Sequence, residues 1–115
     1  MKVHIKAQIL TVYIGSDDKW RGGLLYPAIV ERFKEAGVAG VTVIQGEEGF
    51  GAQGHMHAVR FDVLFEGLPV VIAAVDVPER IEVAKAILDE MLADGLATVA
   101  DVDAYRYMRE PRAQH

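Results

Sequence analysis

A chain of 115 residues with 51% apolar and 25% charged side chains is long enough for one domain with a sizeable core, and too apolar to be intrinsically disordered. Seventeen acidic against twelve basic residues leave a formal net charge of -5, and no long basic run appears, which argues against nucleic-acid binding. With no cysteine, disulfides, zinc–thiolate sites and thiol nucleophiles are excluded.

The N-terminus mixes Lys2, His4, Lys6 and Gln8 among apolar residues, unlike a signal peptide. No apolar run approaches the roughly 20 residues that span a bilayer. A cytoplasmic protein that is not itself a membrane protein is the expectation. Residues Ile5 to Ile14 are β-branched and aromatic and stop at Gly15, which predicts a first strand followed by a turn-rich loop to Gly23. Apolar residues at Leu25, Ile29, Phe33 and Ala36 predict a helix from Leu24 to Ala36, with Pro27 in its first turn and Gly37 as its C-terminal cap. A second strand is predicted from Gly40 to Gln45.

Gly46, Gly49, Gly51 and Gly54 then place four of the eleven glycines within nine residues, the pattern of a loop that moves or brings backbone close to a ligand. Val59 to Phe65 alternates as a loop arm or edge ribbon, and after the Gly67-Leu68-Pro69 turn the apolar run Leu68 to Val75 predicts the central third strand. Asp76 as a cap, Pro78 at the start, an apolar face of Ile81, Ala84, Leu88 and Leu92, and Gly95 at the end predict a second helix. Leu96 to Tyr107 is the last strand, expected to break near Asp101, and residues 108–115 read as a frayed tail.

The order β-α-β-β-α-β predicts a single α+β domain over residues 1–115 of ferredoxin-like plan, an antiparallel sheet with two helices on one face. Its central strands are apolar on both faces, so the uncovered face requires burial by another subunit, and a homo-oligomer is expected.

Gly49-Phe50-Gly51-Ala52-Gln53-Gly54 spells the G-x-G-x-x-G pattern, with Asp76 22 residues after Gly54. A dinucleotide fingerprint needs a helix opening directly from the glycines, however, and His55 to Phe65 alternates like a strand. Two possibilities stay open for the loop: a nest of amides around an anion, or a flexible hairpin tip. His55 and His57 place two imidazoles on one side of an extended segment and begin a metal site if Glu47 or Glu48 joins them. Asp17, Asp18, Glu47 and Glu48 supply carboxylates without a nucleophile, and Ser16 lacks the elbow of a serine nucleophile. Arg106 and Arg109, flanked by Tyr105 and Tyr107, offer guanidinium groups suited to clamp a phosphate or carboxylate. Trp20, between Lys19 and Arg21, is either a partner contact or a lid over the helix.

The run from Gly37 through Thr42-Val43-Ile44-Gln45-Gly46-Glu47-Glu48-Gly49-Phe50-Gly51 resembles PII-like proteins of bacteria and archaea grouped as family one-ninety of the domains of unknown function. Leu10 to Gly15, Leu25-Tyr26, Ile29-Val30-Glu31, His55 to His57, Leu68 to Ile72, Val75-Asp76 and Gly95-Leu96 extend the resemblance over nearly the whole chain, although Ser16 stands where members often carry Glu. The resemblance implies a ferredoxin-like homotrimer similar to PII signalling proteins, whose loop after the second strand changes conformation with ligand and whose relatives bind adenine nucleotides between subunits. By analogy Gly46, Glu47, Gly49, Phe50 and Gly51 line such a cleft, and Arg106 and Arg109 join them on physical grounds. The expected function is regulatory, with no catalytic residues. An adenine nucleotide is the expected ligand, and a membrane transporter or channel the regulated partner, since genes of this family often neighbour fluoride-channel genes. A copper-tolerance-like metal-binding trimer using His55 and His57 is the alternative. A small enzyme using Asp17, Glu47 or His55 as base between protomers is the third.

Overall fold

A computed structural model describes residues 1–46 and 67–109. Its elements are β1 (Lys2–Gly15), β2 (Lys19–Trp20), β3 (Gly23–Leu24), α1 (Leu25–Glu35), β4 (Thr42–Gln45), β5 (Pro69–Asp76), α2 (Pro78–Met91) and β6 (Leu96–Tyr107). The main sheet has the order β4-β5-β1-β6 with all three pairings antiparallel, which is the ferredoxin-like plan.

Alternation along β1 sets the two faces of this sheet. Leu10, Val12 and Ile14 are buried, and the register places Ala74, Ile72 and Val70 of β5 opposite them on the same face. Both helices pack here. Leu25, Ile29 and Phe33 of α1, spaced by four, and Ile81, Ala84, Ile87, Leu88 and Met91 of α2 complete one core. On the outer side the two helices are joined by a two-pronged Arg32–Glu90 pair at 2.9 and 3.2 Å.

The opposite face carries Ile9, Thr11 and Tyr13 of β1, Val71, Ala73 and Val75 of β5, Thr98, Ala100 and Val102 of β6, and Ile44 of β4. No described element covers it, and Ile44 is 58% exposed.

Several expected boundaries shift. β1 begins at Lys2 rather than Ile5, because β6 pairs with it down to Lys2↔Tyr107. The loop after β1 contains a small hairpin, β2–β3, closed by Arg21 and Gly22 at φ 49° and 84°. β6 runs unbroken through Asp101, whose carboxylate accepts a hydrogen bond from Gln8 Nε2 at 2.9 Å.

Asp76 does not cap α2 through its side chain. Val77 is the N-cap residue, and Asp76 instead accepts Val77 N at 2.7 Å and Ala39 N at 2.8 Å, tying the end of β5 to the connection before β4. α2 closes at Met91, ahead of Gly95. Met108, expected in a frayed tail, exchanges two backbone hydrogen bonds with Met1, at 2.8 and 2.9 Å. Residues 110–115 and the expected Val59–Phe65 arm lie outside the described residues.

Candidate functional site

The glycine-rich segment leaves the sheet at a fixed base. Gly46 N donates to Pro69 O at 2.8 Å at the end of the β4–β5 ladder. On the return side Ser16 N donates to Leu68 O at 2.7 Å, and Leu68 N donates to Ser16 Oγ at 2.9 Å. The turn after β1 thus clasps the chain re-entering at Leu68, helped by Asp18 Oδ2, which accepts Gly15 N at 2.8 Å and closes that turn. Gly67 sits inside the clasp at φ 81°, where an added Cβ would stand 2.5 Å from Ser16 Oγ and 2.7 Å from Asp17 Oδ2. Asp18 therefore has a structural task in the turn, and the Ser16 hydroxyl next to Asp17 is engaged with the Leu68 amide. Glu47, Gly49, Phe50, Gly51, His55 and His57 lie outside the described residues. Among the described residues no group of three or more His, Asp or Glu side chains is placed to hold a metal ion.

Arg106 sits elsewhere. It stands opposite Val3 in the β1–β6 ladder, whereas the loop base is at the Gly15↔Pro69 end of β1. Twelve residues of extended chain separate Val3 from Gly15, about 40 Å at roughly 3.3 Å per residue. Within one protomer Gly46 and Arg106 cannot touch the same small ligand. Arg109, also exposed, follows Met108 beyond the end of β6 and is further still from the loop base.

Around Arg106 the sheet forms a cleft, for a reason set by strand lengths. β5 has 8 residues and β1 has 14, so below Gln8↔Asp76 β1 continues with β6 alone as a two-stranded ribbon. The space that a longer β5 would fill is bounded by Ala39, Gly40 and Val75 to Val77 on one side and by Ile5, Ala7, Ala104 and Arg106 on the other. Its volume is about 620 Å³, within the size range of small-molecule sites. The lining is aliphatic apart from Arg106 and Asp76, and Arg106 makes no hydrogen bond or ion pair to a described residue.

The ribbon's other face is polar. Asp103 Oδ1 receives Lys6 Nζ at 2.9 Å and lies 2.8 Å from His4 Nε2, while His4 stacks on Tyr105 with centroids 4.9 Å apart. The hydrogen bond from Lys6, then that from His4, lowers the Asp103 pKa below the ordinary carboxylate value. Sequence reasoning missed the cleft and this cluster, although the alternation Lys2, His4, Lys6, Gln8 against Val3, Ile5, Ala7 already marks a two-faced strand. Trp20 is half-buried against the core with the Arg21 guanidinium 4.5 Å from its ring centroid.

Comparison with known proteins places these features in a wider set. The model of the DUF190 family, described as an uncharacterized ACR, matches residues 7–104. A UPF0166 protein of Methanocaldococcus jannaschii is 36% identical over 105 residues, covering 89% of this chain and 94% of that one. A UPF0166 protein of Aquifex aeolicus is 31% identical over 101 residues, covering 86% and 93%. Among solved structures, the apo form of CPII from Thiomonas intermedia K12, a nitrogen regulatory PII-like protein, superposes with a TM-score of 0.62 at 14% identity over 93% of this chain and all of that one. A putative PII-like signaling protein of Thermus thermophilus gives 0.60 at 21%, covering 88% and 91%. CPII bound to ADP, AMP and bicarbonate gives 0.60 at 17%, covering 92% and 100%. At these identities the structural likeness shows a shared PII-like fold.

Proposed function

We propose that this chain, which belongs to the DUF190 family, is a PII-like regulatory protein that binds an adenine nucleotide in clefts between subunits of a homotrimer. It presents the Gly46 to Gly54 segment to a partner protein, and it does so without catalysing a reaction. The observation that carries the proposal is the separation of Gly46 from Arg106 by about 40 Å of β1. A ligand held by both needs Arg106 from one copy and the loop base from another. The uncovered sheet face supports the same assembly, since Ile9, Val71, Val75 and Val102 on one surface favour burial against a second copy.

CPII, which shares the fold, has been solved with ADP and AMP, and this supports an adenine nucleotide as the ligand class. The fixed base at Gly46, Ser16 and Leu68 supports a segment whose two ends are held while its tip meets a partner, for which a membrane transporter or channel is the candidate. No described helix is long and apolar enough to cross a membrane.

Calorimetry with ATP, ADP, AMP and cyclic AMP on protein of measured mass tests the proposal. Heat that saturates at one nucleotide per subunit in a trimer supports it. A monomer, or an oligomer without heat at millimolar nucleotide, overturns it.

A further inference from the structure

The cleft beside Arg106 has a composition that selects among phosphorylated ligands. Resting on the nucleotide proposal above, we infer that this cleft takes a nucleoside monophosphate in preference to di- and triphosphates, with the base between the aliphatic walls and the single phosphate on Arg106.

Three features of the cleft lead there. Ile5, Ala7, Val75 and Ala104 form walls without a charged group, the surface a planar base covers with little desolvation cost. The flank of β1 along the cleft has no strand partner below Gln8, while its other flank pairs with β6. One alternate set of backbone N–H and C=O groups between Lys2 and Ala7 therefore points away from β6, toward the side on which the cleft lies. Such groups can meet the donor and acceptor edge of a heterocycle.

Charge then sets the phosphate count. Arg106 is the one cation among the described residues that line the cleft, and Asp76 is a carboxylate in the same lining. A single guanidinium can pair bidentately with one phosphate. A second and third phosphate would find no further cation, and would bring added negative charge toward Asp76 in a chain whose net charge is already -5. The neighbouring basic side chains do not correct this. Lys2, His4 and Lys6 belong to the opposite face of the ribbon, where His4 and Lys6 are engaged with Asp103.

The test compares AMP, ATP and adenosine by calorimetry on the intact oligomer and on its Arg106→Gln and Ala104→Trp variants, with circular dichroism and mass checked for each. Arg106 is exposed, so its replacement leaves the core untouched. AMP should bind at least tenfold more tightly than ATP. Arg106→Gln should weaken AMP at least tenfold while leaving adenosine unchanged, because adenosine has no phosphate for Arg106 to hold. Ala104→Trp, which fills the cleft, should weaken both AMP and adenosine. If ATP binds as tightly as AMP while Arg106→Gln weakens both, the inference fails and the proposed function stands. If neither variant changes either, Arg106 is not part of the nucleotide site, and the inference and the Arg106 half of the proposed function fail together. If an Arg106→Gln variant loses subunit association rather than AMP affinity, a second copy occupies the cleft and the inference fails. If no nucleotide binds the unaltered oligomer, both fall together.

Discussion

Ser16 and Leu68 hold each other by two hydrogen bonds, one from Ser16 N to Leu68 O at 2.7 Å and one from Leu68 N to Ser16 Oγ at 2.9 Å. The clasp connects the turn after β1 to the point where the glycine-rich segment rejoins the sheet, 52 residues along the chain. Ser16→Ala removes the second bond and leaves the Leu68 amide to water. A loss of about 1 kcal/mol is expected from urea denaturation, with the transition otherwise unchanged. No loss would mean that the backbone bond holds the turn alone.

Gly67 should be far less replaceable than Gly22, although both have positive φ. Around Gly22 a Cβ would find open space, whereas at Gly67 it would meet Ser16 Oγ and Asp17 Oδ2. Gly22→Ala is expected to cost about 1 kcal/mol, the backbone penalty alone. Gly67→Ala should cost about 2 kcal/mol or more, because the Ser16 clasp must open as well. Equal melting temperatures for the two variants would contradict the packing at Gly67.

Arg106 and the loop base can be tested as halves of one site by mixing subunits. Arg106→Gln and Gly46→Val proteins, each poor in nucleotide binding, are unfolded and refolded together at equal ratio. Random assembly restores about a quarter of the sites if the two residues act across an interface, since each good site needs an intact loop base beside an intact Arg106. Restoration near zero would show that Arg106 and the loop base do not complete one site across an interface.

The uncovered sheet face should tolerate charge only in a monomer. Thr11→Asp puts a carboxylate between Ala73 and Thr98 near the middle of that face, without touching the helix-side core. Sedimentation is expected to give a monomer mass with a cooperative melt preserved. An oligomer of unchanged mass would show that this face is not the one buried between copies.

Asp103 supplies a pH-dependent contact on the ribbon. Its folded pKa is depressed by Lys6 and His4, so the charged form is favoured on folding; the stabilisation is present above the ordinary carboxylate pKa and fades as pH falls through the lower folded value. Carbonyl NMR should give Asp103 a midpoint below the roughly 3.9 of a free aspartate, returning toward it in Lys6→Ala. An Asp103 that titrates like a free aspartate would mean that the Lys6 and His4 contacts are not populated in solution.

Much of the fold can be read along the chain because periodicity is a local property. The four-residue spacing of Leu25, Ile29 and Phe33 and the two-residue spacing of Leu10, Val12 and Ile14 each report a buried face, and a chain that repeats strand-helix-strand has few ways to bury them. Capping and strand breaks were less legible. Asp76 has the spelling of a cap, yet its carboxylate is taken by Ala39 N, a group 37 residues away. Asp101 looks like an interruption until Gln8 is seen opposite it.

For the site, the sequence determined the residue types: a concentration of glycines after the second strand, and Arg106 at the end of the last. It suggested that they meet. Only the tertiary structure decided that within one protomer they do not, because where a residue stands along a strand is fixed by register with its neighbours and not by its own side chain. Gly46 belongs to the Gly15↔Pro69 end of the sheet, and Arg106 to the Val3 end of a ribbon that outruns β5. The unequal lengths of β1 and β5 open the cleft beside Arg106, and a length difference between strands far apart in the sequence becomes a cavity only when they pair.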